Sequence, residues 1–122
     1  MRQEQLQQIQ QIISQHRNLY CVPCAGAIQD YLIRQGISGK RIKLYTGSVM
    51  KPNNYILDDS VPNEAISENG RHEAVSVVID SQEIVFDNHH PEGLPKLQWL
   101  ANLQFHNKMM LGWEFQITEE VF

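Results

Sequence analysis

The chain has 122 residues, of which 42% are hydrophobic, and its ten lysines and arginines against fourteen aspartates and glutamates give a net charge of −4. This length suits one small domain over residues 1–122, with enough chain for one core. The acidic balance gives no electrostatic reason to expect a nucleic acid partner, and no apolar run is long enough to span a membrane.

Two helices are predicted in the first third of the chain. Residues 2–16 place isoleucines at helical spacing, with a face of glutamines opposite them. The second helix is predicted from about Cys24 to Gln35, because Pro23 precedes it and Gly36 supplies a C-terminal stop. Its apolar stripe makes it the expected central helix, packed against a sheet.

Strands dominate the rest of the predicted structure. The elements expected after residue 40 are a strand at 41–46, a long loop at 47–71, strands at 73–79 and 83–86 around a turn at Asp80-Ser81, a short helix at 94–103 carrying Trp99, and a last strand at 111–118 carrying Trp113 and Phe115. Both tryptophans are expected in the core. This order indicates an α+β domain, with the helices packed on a small antiparallel sheet.

Three residues with reactive or titratable side chains hold informative positions in this pattern. Cys24 begins the second helix, where the helix dipole and unpaired backbone N–H groups favour a thiolate. His72 starts a strand and Asp87 ends the next one. A nucleophilic thiol needs a base to take its proton and a third group to orient that base. The predicted catalytic residues are therefore Cys24, His72 and Asp87, and this chemistry needs no cofactor and no metal.

The predicted hairpin geometry tests whether Asp87 can reach His72. A two-residue turn at Asp80-Ser81 aligns the apolar residues of the two strands on one face. On the other face, Asp87 becomes the diagonal neighbour of His72, roughly 7–8 Å away at Cα. A turn of even length puts Asn88 on the opposite face, so Asp87 is favoured over Asn88. A turn of odd length would reverse that choice.

Cys24 is favoured over Cys21 as the nucleophile because Cys21 precedes Pro23 in a segment expected to be extended. Acyl transfer also needs hydrogen-bond donors for the developing oxyanion. The backbone N–H of Cys24 is one natural donor, and the side chain of Asn18, six residues upstream, is a candidate for the second.

Three short motifs connect the chain to a known family. They are Cys-x-x-Cys-Ala from Cys21 to Ala25, Gly-x-His from Gly70 to His72, and Val-Phe-Asp-Asn-x-x-Pro-x-Gly from Val85 to Gly93. Together they resemble the papain fold toxin domains of bacterial polymorphic toxin systems, over residues 6–103. The resemblance implies a papain-like fold, a Cys-His-Asp triad, and attack on an amide by proteolysis, deamidation or a related reaction.

The resemblance also implies partners and a location. Such domains usually form the C-terminal tip of a larger secreted toxin, so a protein or peptide substrate and an immunity protein are the implied partners. The polar start Arg2–Gln5 argues against a signal peptide. The expected location is therefore the cytoplasm, or a target cell into which an effector has been delivered.

Three other functions are compatible with the same residues. Cys21, Cys24, His89 and His90 form a possible zinc set, although adjacent histidines depart from the usual spacing. The Cys-Val-Pro-Cys run has the spacing of a redox dithiol, although a helix rather than a strand precedes it. A binding module without enzymatic activity is the third, and in that case replacing Cys24 by alanine would leave the biological effect intact.

Overall fold

Four helices and eight strands make up the chain, and the computed structural model describes all 122 residues. The helices are α1 (Gln3–Ser14), α2 (Cys21–Arg34), α3 (Lys96–Asn102) and α4 (His106–Leu111). The strands are β1 (Lys40–Tyr45), β2 (Ile56–Asp58), β3 (Ala65–Ser67), β4 (Arg71–Ile79), β5 (Gln82–Asp87), β6 (His90–Pro95), β7 (Leu103–Gln104) and β8 (Gln116–Val121). The strands form antiparallel sheets, so the predicted α+β class is confirmed.

A five-stranded sheet of order β6-β5-β4-β1-β8 is the centre of the molecule. One of its faces carries Val75, Val77 and Phe86, which pack in one apolar cluster with the buried sides of α1 and α2. The opposite face carries Ala74 and Val85, which pack in a second cluster with α3 and the remaining strands. The sheet therefore separates two cores, and the predicted packing of α2 against it is confirmed.

The β4–β5 hairpin has the predicted register. Asp80 and Ser81 form the turn with positive φ angles of 51° and 67°, as a two-residue hairpin turn of the favoured twist requires. Val75 pairs with Phe86 across the two strands. Because the turn has an even length, His72 and Asp87 share one face of the sheet, the face covered by α3.

Helix α2 begins three residues earlier than predicted, at Cys21 rather than Cys24. The backbone N–H of Cys24 already donates to the carbonyl oxygen of Tyr20 at 3.2 Å, as a residue at the end of the first turn does. Pro23 lies inside that turn, where its missing N–H costs nothing because first-turn amides have no partner within the helix. Treating Pro23 as a residue that precedes the helix was therefore wrong.

The predicted loop at 47–71 contains two short strands. They are β2 and β3, which join β7 in a separate three-stranded sheet of order β3-β2-β7. Strand β6 and helix α4 were also not predicted. The last strand begins at Gln116 rather than at residue 111, because Leu111 ends α4 and Gly112 closes that helix with a φ of 73°.

Trp99 is fully buried, as predicted, but Trp113 lies outside the core with 47% of its surface exposed. Trp113 belongs to the connection between α4 and β8 rather than to a strand.

Candidate active site

The hairpin joins His72 to Asp87 directly. Nε2 of His72 lies 2.9 Å from Oδ2 of Asp87, and neither side chain has any exposed surface. The other candidate for this position, Asn88, points elsewhere and donates from Nδ2 to the carbonyl oxygen of Arg17 at 3.1 Å. The structure therefore pairs His72 with Asp87, as the hairpin argument predicted.

Asp87 accepts hydrogen bonds on both of its oxygens. Oδ2 receives the indole N–H of Trp99 at 2.9 Å as well as His72, and Oδ1 receives the backbone N–H of His89 at 2.9 Å. Burial alone would raise the pKa of Asp87, but the bond to His72 and the charge on that ring outweigh burial and hold the pKa well below its usual range. Asp87 is therefore an anion that three donors fix in position.

Asp87 also settles which nitrogen of His72 is free. Since an ionised carboxylate only accepts, Nε2 of His72 is the donor in that pair, and Nδ1 is the nitrogen left over. Nδ1 is buried and has no hydrogen-bond partner of ordinary geometry. The Cys21 thiol is close enough to the ring to contribute to the raised pKa of His72. A thiol, an imidazole and a carboxylate thus meet in one place.

The protonation of His72 follows from these contacts. Burial would lower the pKa of the imidazole, but the hydrogen bond that the ring donates to Asp87 and the interaction with Cys21 outweigh burial and raise the pKa to about 10. The ring is therefore charged at neutral pH. A charged ring beside a thiol is the arrangement that stabilises a thiolate.

Cys21 has the environment of such a thiolate. Burial raises the pKa of the thiol, but the interaction with His72 and a hydrogen bond from the backbone of Glu73 exceed that effect, so the net pKa is lowered. Cys21 is also the first residue of α2, where the helix dipole favours a negative charge. The electrostatic advantage that the sequence suggested for Cys24 belongs to Cys21.

The start of α2 also offers free donors. No side chain caps this helix end, and neither the Cys21 nor the Val22 backbone N–H donates a hydrogen bond. Leu19, just upstream, has a φ of 74°, a left-handed conformation that a leucine adopts only at a cost of about 1–2 kcal/mol. The chain thus turns sharply into the helix and leaves two amides unpaired beside the Cys21 sulfur.

A pocket of about 290 Å³ opens at Cys21. Its other lining residues come from the start of α2, from the connection between β1 and β4, and from the start of β4. They are Leu19, Val22, Lys51, Ile66, Ser67, Glu68, Asn69, Arg71 and Glu73. Six of the ten lining residues belong to the 47–71 segment that the sequence predicted to be a long loop. Cys21 is therefore the thiol that a ligand in this pocket meets.

Cys24 lies in a different environment. It has no exposed surface and packs among the isoleucines of α1 and α2. Burial, together with the charges of Asp87 and Cys21, raises the pKa of its thiol to about 12. The predicted placement of Cys24 at a helix N-terminus is thus corrected, because the helix begins one turn earlier and turns Cys24 into the core.

Asn18 does not have the geometry expected of an oxyanion donor. Its Nδ2 donates to the carbonyl oxygen of Ala65 at 2.9 Å, and its Oδ1 accepts from Nε2 of His89 at 2.8 Å. Both ends of the amide are therefore engaged in holding neighbouring segments together. With Cys21 at the start of the helix, Asn18 is also only three residues upstream.

The histidines proposed as zinc ligands each bind a different neighbouring residue. His89 is bonded to Asn18, and Nε2 of His90 donates to Oδ2 of Asp58 at 2.8 Å. Nowhere in the structure do three histidines, cysteines or carboxylates gather in positions suited to a metal ion. The two histidines that the sequence offered as ligands instead connect the β5–β6 turn to its neighbours.

That turn is an anchoring segment, which we define as Asp87–His90. Each of its four side chains binds a different part of the chain: Asp87 binds β4 and α3, Asn88 binds Arg17, His89 binds Asn18, and His90 binds β2. From the sequence, His89 and His90 were considered only as members of a possible zinc set. A run of four polar residues that begins at the buried end of β5 was the signal for this role.

Trp99 is the site residue that sequence reasoning missed. It was assigned to the core, and its ring is indeed fully buried, but its N–H also holds Asp87. Its ring centroid lies 6.0 Å from that of His72. A buried tryptophan normally finds a hydrogen-bond acceptor for its N–H. The carboxylate of Asp87, twelve residues upstream at a strand end, was the signal that could have indicated this contact.

No helix combines the length and the apolar character needed to cross a membrane.

Three comparisons with known proteins were informative to different degrees. Neither the curated proteins nor the solved structures yield a match to this chain. The family model described as Papain fold toxin 2 matches residues 4–104, which include His72, Asp87, Trp99 and both cysteines. The chain therefore belongs to the Papain fold toxin 2 family.

Proposed function

We propose that the protein is a cysteine hydrolase that attacks amides through Cys21, His72 and Asp87. The observation that carries this proposal is the meeting of a pocket-lining thiol at a helix start with a buried imidazole whose other nitrogen is bound by a buried carboxylate. His72 and Asp87 keep the roles predicted from the sequence. Cys21 replaces Cys24 as the nucleophile.

The chemistry follows from the charges at rest. The Cys21 thiolate attacks the carbonyl carbon of an amide, and the C=O π electrons move onto oxygen. His72, charged at rest, gives its Nδ1 proton to the amide nitrogen as the C–N bond breaks and the amine leaves. A water molecule then attacks the thioester while neutral His72 takes a proton from it, and the C–S bond breaks to return the thiolate and release a carboxylic acid.

Two further groups support this sequence of steps. The free N–H groups of Cys21 and Val22 are positioned at the helix start to bind the developing oxyanion, which supplies the donors once expected from Asn18. Asp87 stabilises the charged ring of His72. Because Asp87 binds Nε2, the ring is oriented with Nδ1 free for proton transfer. The same thioester serves proteolysis and deamidation.

The pocket lining favours a peptide as the substrate. Leu19, Val22 and Ile66 offer apolar contact, whereas Lys51 and Glu68 offer charges that no ion pair in the structure occupies. A lining of both kinds suits an extended polypeptide, which presents apolar and polar side chains along with its backbone amides. A protein substrate is the class that fits.

Membership of the toxin family suggests the biological role of the proposed hydrolase. We infer that the domain acts as an antibacterial or host-directed effector, delivered into a target cell as part of a toxin, and that the producing cell blocks it with an immunity protein. This inference rests on membership of the toxin family. Expression of the domain inside a bacterial cell should therefore arrest growth, and the arrest should depend on Cys21.

One experiment separates the possible reactions. The purified protein is incubated with a peptide digest of a bacterial proteome, and the products are analysed by mass spectrometry. New peptide termini identify proteolysis, whereas glutamine or asparagine residues about 1 Da heavier identify deamidation through the same acyl-enzyme. We expect one of these products with the wild type and with Cys24→Ala, and neither with Cys21→Ala or His72→Ala. Equal product from Cys21→Ala and the wild type would contradict the proposal.

A further inference from the structure

The proposed mechanism leaves the second thiol unused. Cys21 and Cys24 lie three residues apart in the first turn of α2, and both are free. Residues at this spacing share a helix face, with Cβ atoms about 5–6 Å apart. A disulfide requires Cβ atoms about 3.5–4.5 Å apart, so a small adjustment of one turn would join the two sulfurs.

The first turn of α2 is well placed to make that adjustment. No side chain caps it, and Pro23 removes one of its amide donors. The hydrogen bond from the Cys24 N–H to the carbonyl oxygen of Tyr20 connects the backbone of this turn to the preceding segment. The turn can therefore tighten without breaking a network of buried hydrogen bonds.

The two thiols differ in access. Cys21 lines the pocket, so a small molecule that enters the pocket reaches its sulfur. Cys24 has no exposed surface and packs in the core beside α1. An oxidant therefore reacts with Cys21 first, and the group that Cys24 then meets is the oxidised Cys21.

We propose that Cys21 and Cys24 are a peroxide-sensitive pair, in which oxidation of Cys21 is captured by Cys24 as a reversible disulfide that switches the hydrolase off. The inference of inactivation rests on the proposed role of Cys21 as the nucleophile. The disulfide itself depends only on the position and access of the two thiols. Cys24 thus has a function beyond filling space in the core, which valine could also do.

The oxidation balances with hydrogen peroxide as the oxidant. The Cys21 thiolate attacks one peroxide oxygen, an S–O bond forms as the O–O bond breaks, and the departing hydroxide takes a proton to become water. The Cys24 sulfur then loses its proton and attacks the Cys21 sulfur, forming the S–S bond as hydroxide leaves and becomes a second water. Two thiols are oxidised, one peroxide is reduced, and an external dithiol reverses the change.

Intact-mass spectrometry tests the proposal on the whole chain. With stoichiometric hydrogen peroxide, the wild type should lose about 2 Da, and a proteolytic peptide spanning both cysteines should carry the loss until dithiothreitol restores it. In Cys24→Ala, Cys21 has no thiol to capture it, so two equivalents of hydrogen peroxide should convert it through the sulfenic acid to a sulfinic acid, a gain of about 32 Da that dithiothreitol does not remove. Cys24→Val serves as a second variant if the alanine loosens the core, and circular dichroism checks both.

The outcomes are distinct. Loss of two hydrogens in the wild type, together with irreversible oxygen uptake in the Cys24 variants, supports the pair. A wild type that gains oxygen as the Cys24 variants do overturns it, as does a protein in which neither thiol reacts. Amide hydrolysis measured on the reduced protein is a separate readout, so a failed hydrolase with an intact disulfide, or the converse, identifies which proposal is at fault.

Discussion

The indole nitrogen of Trp99 lies 2.9 Å from Oδ2 of Asp87, the oxygen that also binds His72. Replacing Trp99 by phenylalanine keeps an aromatic ring in the core but removes this donor. We expect the free energy of unfolding to fall by about 2–3 kcal/mol, because a buried carboxylate loses one of its hydrogen bonds and some packing is lost. Urea denaturation measures the change.

Trp99 also acts on the site through Asp87. Loss of its donor leaves the carboxylate less well fixed, so the folded Trp99→Phe protein should label more slowly at Cys21 with iodoacetamide near pH 6. Leu103→Ala is a matched control, because Leu103 is a fully buried neighbour in the same core with no bond to Asp87. Equal loss of labelling in both variants would show that packing, not the hydrogen bond, matters.

The pairing of Cys21 with His72 predicts selective labelling. Iodoacetamide should modify Cys21 rapidly at pH 6, and Cys24 should remain unmodified in the folded protein, because one pKa is lowered and the other is raised to about 12. In His72→Ala the stabilising charge is absent. The midpoint of the Cys21 labelling curve should then move up towards the ordinary value of about 8.5. A midpoint that does not move would contradict the proposal that Cys21 and His72 form a thiolate–imidazolium pair.

Hydrolysis should follow a bell-shaped dependence on pH. As pH falls through the lowered pKa of Cys21, the thiolate gains a proton and the rate declines. As pH rises through the pKa of His72 at about 10, the ring loses the proton that the leaving amine needs, and the rate declines again. Because the two groups interact, both limbs belong to the pair. Steady-state rates on an identified peptide substrate measure the profile.

The pair formed by His90 and Asp58 fastens the two sheets together. Replacing His90 by alanine leaves Asp58 buried without its ring partner, although Ser60 still donates to it through its Oγ at 2.6 Å. We expect a loss of about 2–4 kcal/mol in stability. His106→Ala, at an exposed position, is the control and should change stability by less than about 0.5 kcal/mol. Denaturant midpoints that coincide for the two variants would refute this role.

Gly70 lies two residues before His72 and has a φ of 80°. A Cβ there would lie 2.9 Å from Oγ1 of Thr46 and 3.1 Å from the carbonyl oxygen of Ser48, so Gly70→Ala adds a clash to backbone strain. We expect a thermal shift equivalent to about 2–4 kcal/mol. Gly36→Ala, with a φ of 72° and no atom within 4 Å, carries the strain alone and should cost about 1–2 kcal/mol.

The sequence predicted the hairpin and its register because a two-residue turn and alternating apolar residues leave little freedom. That argument placed Asp87 beside His72, and the atoms meet as the alternation requires. It could not place the small sheet of β2, β3 and β7, since strands of two or three residues carry no periodic pattern. Their pairing depends on contacts distant in the chain.

The predicted position of Cys24 at the start of α2 was wrong for a local reason. Proline is compatible both with the segment before a helix and with its first turn, so Pro23 alone does not fix where α2 begins. A shift of three residues moves the helix start from Cys24 to Cys21, while the helical face stays nearly the same. Only the tertiary contact with His72 decides which thiol meets the ring.

The anchoring segment Asp87–His90 has a consequence for how activity arises. Its four side chains are satisfied only when β4, α3, β2 and the linker between α1 and α2 have all docked. Under the proposed mechanism, a partly folded chain has the Cys21 thiol but no oriented His72 ring, so it would not cleave neighbouring proteins. The proposed activity would therefore arise late in folding, after the elements around Asp87–His90 have packed together.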